Sequence, residues 1–382
     1  MTDRPAGDRR GRTGAGPLAG LVVAVTADRR AEEQQELLHR LGARTVHAPS
    51  VRTLPLGADA GLRAATEAII ADPPDVVALS TGLGVRSWAE AAESMGLGDE
   101  LTEVVLGATV LARGPKAAGA AVTAGWRVDW RAPSASSTEM VEHLGTLGVR
   151  GRRVAVQLDG REDPVLSDAI AAHGADVVGV RVYRWLLPDD VEPVARLIDS
   201  VCEGQVDAVT FTSSPAVWNL EAIARSSGSL DRLREQLSSR VLNVCVGPIC
   251  AAAACEAGFE NPIQPVAARL GSMTKALAGH VAASRETVHV DSAQVLLGAS
   301  TIVVDGEVIE LTPREREVLG MLVRRPGSVV NKAQLLSQVW RGAADDHAVE
   351  VTVGRLRRRL DGTLRVETVP RRGYRIVGPV AG

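Results

Sequence analysis

Aromatic side chains are scarce in this chain: two Tyr, two Phe and six Trp supply only 3% of 382 residues. Its cores must therefore be aliphatic, and an apolar content of 45% is enough for large ones. Cysteine is also sparse. Cys202, Cys245, Cys250 and Cys255 follow neither a C-x-x-C nor a zinc-ligand spacing, which excludes a metal ribbon and a dithiol redox motif. They read as free thiols in a reducing, cytoplasmic setting, and no metal is expected. No run of 18 apolar residues occurs, so no membrane-crossing helix is predicted. No signal-peptide pattern precedes Leu18, and residues 1–17, rich in Arg, Gly and Asp, read as a disordered tail. A net charge of −3 leaves no general basic surface.

That small net charge hides a strong asymmetry. Between Leu311 and Arg375 there are 14 Lys/Arg against 7 Asp/Glu, so this segment is +7 and the remainder −10. An acidic body carrying a basic module is the natural reading. Within the module, Asp346–Leu360 has helical periodicity. Val349, Val353, Leu356 and Leu360 form one apolar stripe, while Val351, Thr352, Arg355, Arg358 and Arg359 are left to the other face. A helix fits the DNA major groove, where Arg bonds guanine edges and short side chains permit close approach.

The body contains an internal repeat. Asp75-Val76-Val77-Ala78-Leu79-Ser80-Thr81 returns as Asp207-Ala208-Val209-Thr210-Phe211-Thr212-Ser213, an offset of 132. Gly114-Pro115 returns as Gly247-Pro248, and Val154-Ala155-Val156 echoes Val22-Val23-Ala24. Apolar strand runs alternate with helical patterns closed by Gly42 and Gly174, so residues 18–284 are predicted to be two related α/β units around parallel sheets. The turns after strands line the ligand crevice in such sheets, and helix N-termini there favour anions. Ser80, Thr81, Gly114, Pro115, Lys116, Thr212, Ser213, Gly247 and Pro248 occupy these turns. Ser, Thr and Gly-Pro also serve as ordinary helix starts.

On these turns, on Val25-Thr26 with its following helix and Gly42-Ala43, and on Val182-Tyr183-Arg184, the segment resembles uroporphyrinogen-III synthase. The resemblance implies two flavodoxin-like lobes, about 18–50 with 186–284 and about 51–185, joined by strands near His47–Leu54 and Arg181–Leu187. It implies cyclisation of hydroxymethylbilane to uroporphyrinogen III without metal or cofactor. It places a tyrosine at Tyr183 as the catalytic candidate, with Thr26, Arg29 and Arg161 completing the turns that meet an acidic tetrapyrrole. The loop hydroxyls of the family are replaced by Ala117 and Cys250, and Asp28 stands in a turn where many members are basic.

The C-terminal segment, 287–379, has a hairpin signal at Asp305-Gly306 and a capping box, Thr312-Pro313-Arg314-Glu315. Asn331 caps a second helix, and Leu364–Val369 and Tyr374–Val377 form a terminal hairpin. With Gln338-Val339-Trp340 and Arg372-Gly373-Tyr374-Arg375, this order resembles the winged-helix domain of OmpR/PhoB-type regulators. By that resemblance Asp346–Leu360 is the recognition helix, Arg371 and Arg372 lie at the wing tip, and loop 341–346 meets RNA polymerase. Trp340 and Tyr374 read as core. No acidic phospho-acceptor constellation of a receiver domain precedes the module. The expected function is thus a homodimeric regulator of double-stranded DNA. Its body would act as ligand sensor or dimerisation scaffold, with genes of sirohaem-linked nitrogen assimilation as a target by analogy. The competing expectation is a bifunctional synthase that also binds DNA.

Overall fold

The computed structural model describes residues 16–57, 59–134, 136–158, 165–285 and 287–379; most of the expected N-terminal tail, 1–15, and Arg161 lie outside them. The chain divides into two compact units, one from Arg52–Leu186 and the other from the segments flanking it.

The flanking unit opens with β1 (Val22–Val25), α1 (Ala31–Arg40) and β2 (Arg44–His47), after which β3 (Arg52–Pro55) enters the inserted unit. There follow α2 (Ala60–Ala71), β4 (Val76–Leu79), α3 (Gly82–Ser94), α4 (Gly98–Gly107), β5 (Thr109–Ala112), α5 (Pro115–Thr123), β6 (Trp130–Arg131) and α6 (Ser137–Leu147). The insertion closes with β7 (Arg153–Leu158), α7 (Val165–Ala171), β8 (Asp176–Arg181) and β9 (Tyr183–Leu186). Its parallel sheet runs β6-β5-β4-β7-β8. Counted from β7 as first strand, that is the flavodoxin order 2-1-3-4-5, entered at a different point in the chain. β3 and β9 pair antiparallel, Arg52 opposite Leu186 and Pro55 opposite Tyr183, at the two ends of the insertion.

The first lobe resumes with α8 (Glu192–Cys202), β10 (Ala208–Phe211), α9 (Ser214–Ser226), α10 (Leu230–Ser239), β11 (Leu242–Cys245), α11 (Pro248–Glu256) and α12 (Leu270–Ser284). Its sheet runs β11-β10-β1-β2, with a parallel bridge from Val244 to Ile263 beyond β11. This is the same flavodoxin order. β1, β4 and β10 are buried along their whole length because helices cover both faces of each sheet. The repeat also places an acid before each third strand. Asp75 Oδ2 accepts the Arg153 amide at 2.9 Å, and Asp207 Oδ2 accepts that of Val22 at 2.8 Å.

The C-terminal module begins with an antiparallel sheet, β12 (Val288–Val290), β13 (Ala293–Leu297), β14 (Thr301–Val304) and β15 (Glu307–Glu310). Three helices follow, α13 (Pro313–Val323), α14 (Lys332–Val339) and α15 (Asp346–Arg359), and then the hairpin β16 (Arg365–Val369) and β17 (Gly373–Val377). Reciprocal capping boxes start α13 (Thr312 with Glu315) and α14 (Asn331 with Gln334). One core, including Val318, Leu322, Leu335, Val349, Val353, Leu356 and Ile376, joins the sheet, the helices and the hairpin. This is a winged helix with a four-stranded N-terminal sheet.

Candidate nucleic-acid interface and ligand turns

α15 is started by Asp345, whose Oδ1 accepts the Ala348 amide at 3.1 Å. Its inner stripe is as the periodicity predicts: Val349, Val353, Leu356 and the following Leu360 are each at most 1% exposed. Val351, Arg355 and Arg358 are exposed, and neither arginine has an ion-pair or hydrogen-bond partner among the described residues.

Two residues assigned to that face are engaged elsewhere. Thr352 is only 8% exposed and its hydroxyl donates to the Ala348 carbonyl at 2.8 Å, because it sits at the edge of the buried stripe. Arg359 turns onto the domain instead of outward. Its Nε lies 2.9 Å from Glu315 Oε2, whose side chain is 2% exposed, and its Nη1 donates to the Glu310 carbonyl. A buried carboxylate needs a cation, and Arg359 supplies it. Arg357, absent from the predicted set, anchors the wing by donating to the Val366 carbonyl and Thr368 Oγ1, both at 2.7 Å.

The wing turns at 370–372, with Arg371 in the left-handed region at φ 59° and both Arg371 and Arg372 exposed and unpaired among the described residues. Gly373 (φ 134°) lets the strand pass against the backbone of Val330, whose amide and carbonyl both bond Tyr374. A cavity of about 590 Å³ separates the wing from α15, lined among others by Lys332, Glu350, Arg357, Thr368 and Arg372. Within it Lys332 Nζ lies 2.6 Å from Glu350 Oε1 and holds that carboxyl below its usual range. Tyr374 is 5% exposed and Trp340 packs against the core with Arg314 over its ring, so neither is a stacking surface. Arg341, in loop 341–346, is exposed.

The strand-end turns divide into open and closed residues. In the inserted lobe Thr81 caps α3 by accepting the Gly84 amide, and its hydroxyl meets that of Tyr183 at 3.2 Å. Ser80 donates to the Gln157 carbonyl and is 2% exposed. Tyr183, the catalytic candidate, is 1% exposed within the lobe's core. Gly114 precedes Pro115 at the start of α5 without a side-chain cap; Lys116 is exposed and Ala117 buried. In the first lobe Thr26 is fully buried, its hydroxyl donating to the Thr210 carbonyl at 2.8 Å. Arg29 is exposed. Thr212 and Ser213 are half-buried, and the Ser213 and Gly247 starts of α9 and α11 carry no side-chain cap, with Pro248 at the first position of α11. Cys250 points inward: its thiol donates to the Phe211 carbonyl, and a side-chain hydrogen bond with Cys250 together with burial pushes the Cys245 thiol up.

Two flavodoxin-like lobes followed by a winged helix define a tetrapyrrole-synthase-like body with a DNA-binding domain of OmpR/PhoB type. Comparison with known proteins agrees. Residues 32–275 match the family described as uroporphyrinogen-III synthase HemD, and residues 306–376 match "Transcriptional regulatory protein, C terminal". The chain belongs to the uroporphyrinogen-III synthase family. It is similar to uncharacterised protein YjjA of Bacillus subtilis, 27% identical over 68% of this chain and 96% of that one. It is similar to a mutant uroporphyrinogen III synthase from Thermus thermophilus, 30% identical with TM-score 0.58, covering 69% of this chain and 99% of that structure. Its C-terminal part is 43% identical to transcriptional regulatory protein CutR of Streptomyces coelicolor, over 19% of this chain and 34% of CutR. Among the described residues no helix is long and apolar enough to cross a membrane.

Proposed function

We propose that the chain is a sequence-specific transcriptional regulator that binds double-stranded DNA as a homodimer, its synthase-like body sensing an anionic ligand. The observation that carries the reading is a set of arginines that are exposed and unpaired among the described residues: Arg355 and Arg358 on α15, and Arg371 and Arg372 at the wing tip. Bidentate guanidinium contacts read guanine, and an exposed Val351 suits a thymine methyl. Phosphate contacts from the wing set affinity and register. Loop 341–346, with Arg341 exposed, is the surface assigned to RNA polymerase. Selection of bound sequences from a random duplex library tests the reading. A single enriched motif, abolished in Arg355→Ala, is the expected result; unenriched sequence would overturn it.

For the body, the helix starts at Ser213 and Gly247 in the first lobe and at Gly114 in the inserted lobe carry no side-chain cap, and Arg29 and Lys116 are exposed; each is a feature that suits an anionic ligand such as an acidic tetrapyrrole. A sirohaem-linked nitrogen-assimilation target follows by pathway analogy. Family membership favours a second reading, a synthase that also binds DNA. The enclosed Tyr183 and the buried, hydroxyl-free Ala117 weigh against it. Supplied with hydroxymethylbilane, the protein is expected to give no type III isomer above the spontaneous type I product. Turnover that disappears in Tyr183→Phe would reverse the ranking.

A further inference from the structure

The winged-helix module rests on the first lobe at the amino ends of its strands. Its own sheet calls for such a cover. One face of an antiparallel sheet commonly meets water, yet β14 is buried on both faces. Ile302 and Val304 belong to the module's core. Val303 points to the opposite face. There it lies between Leu296 and Val308 of the neighbouring strands, and an apolar row crosses the sheet. On that face Thr301 and Val303 are 0% and 3% exposed. The segment before β1 covers them. The Thr301 hydroxyl donates to the Gly20 carbonyl, and a Cβ on Gly20 (φ 73°) would strike Val303. A Cβ on Gly298 would strike the Gly20 carbonyl oxygen, so the two glycines let the backbones meet. The exposed Arg44–Glu310 pair adds little.

Asp207 crosses this contact. One carboxylate oxygen accepts the Val22 amide of the lobe at 2.8 Å, and the other accepts the Ala299 amide of the module at 2.7 Å. An ionised carboxylate is an acceptor at both oxygens, and a donor on each suits it. Arg285 and Arg316 add positive charge nearby. Each is fixed by a main-chain acceptor: Arg285 Nη1 donates to the Ala19 carbonyl at 2.7 Å, and Arg316 Nε to the Gly298 carbonyl at 2.6 Å. Burial pushes this half-buried carboxyl up, to about 6, against the amides and arginines, so at neutral pH it is ionised. In the repeat, Asp75 makes the matching strand-start bond to the Arg153 amide with its side chain in solvent.

We propose that this contact is a fixed seat: the ionised carboxylate of Asp207 staples the 298–300 turn of the module to the start of β1 and holds the head on the lobe. The seat covers none of the groups assigned to DNA. Val351, Arg355, Arg358, Arg371 and Arg372 are exposed with the lobe in place, as is Arg341. No undocking is therefore needed before a duplex is read. A change in the lobe reaches DNA by altering how the head is held, since Val22 at the start of β1 shares the staple. That consequence rests on the function proposed above; the seat itself does not.

Hydrogen exchange of the full chain near neutral pH, without DNA, tests the seat at residues 19–22 and 298–303. Residues 76–79 and 349–356 serve as references in the inserted lobe and the module's core. In wild type the junction amides are expected to exchange as slowly as the references. Asp207→Asn sets an amide NH2 group against one of the two donors. It should speed exchange at 298–303 about tenfold and leave both references level. Thr301→Val alters only the module, yet it should speed exchange at 19–22. Asp75→Asn should leave the junction unchanged. Wild-type junction amides that exchange as fast as exposed loops overturn the seat, and that measurement decides even where a variant does not fold. A junction in Asp207→Asn as slow as in wild type overturns the ionised staple. With a bound duplex the junction should stay protected; loss of protection on binding overturns the seated head. A chain that binds no duplex refutes the proposed function and leaves the seat standing.

Discussion

Arg358 and Arg359 are neighbours in sequence with different tasks. Arg359 neutralises Glu315, a carboxylate enclosed at the start of α13, whereas Arg358 is exposed and has no partner among the described residues. Arg359→Ala is therefore expected to lower stability by about 1–2 kcal/mol, discounted because Arg359 itself is partly exposed. Urea unfolding would reveal it. Arg355→Ala and Arg358→Ala should leave the unfolding midpoint alone and each weaken the selected site by about 1–3 kcal/mol in fluorescence anisotropy. Equal stability losses in all three would refute this division. Periodicity alone could not make it. Arg359 lies at the border of the helix face, and the deciding carboxylate is on another helix. Thr352, two turns earlier, lies at the same border, so its burial was equally hidden.

At the scale of elements, the hairpins and caps were legible because their signals are local. Asp305-Gly306 turns the β14–β15 hairpin, and both capping boxes sit at the ends of apolar-periodic segments. Asn331→Ala should cost about 1 kcal/mol, read as a lowered urea midpoint with unchanged slope. β12 and β13 escaped the reading; they are short, and the turn between them uses Asp291 at positive φ without a glycine. The wing's attachment was hidden as well, since Arg357 reaches backbone that carries no sequence signal. On the proposed function, the wing-tip pair serves the electrostatic part of binding. Arg371→Ala with Arg372→Ala should reduce the slope of log affinity against log salt by about 2, the same on any duplex. A loss confined to one sequence would mean that the tip reads bases.

For the whole molecule, the offset of 132 between related strands was enough to infer two equivalent sheets, and both lobes have the flavodoxin order. The accessibility of the turn residues was not legible. Thr26 and Tyr183 have the right chemistry in the right order, but depth in a sheet is set by packing partners far along the chain, Thr210 for one and Thr81 for the other. The seat of the module was invisible for the same reason: Asp207 and Ala299 meet across 92 positions with no shared pattern.

That seat bears on how such chains are assembled. The module reaches the lobe at the amino ends of its strands, where the Thr301 hydroxyl donates to the Gly20 carbonyl and the Ala299 amide to the strand-start carboxylate of Asp207. A DNA-binding head seated there can thus be exchanged on this body without altering the turns at the carboxyl ends of the strands. Because Asp75 repeats the same strand-start carboxylate in the open, the inserted lobe offers a second graft point of the same design.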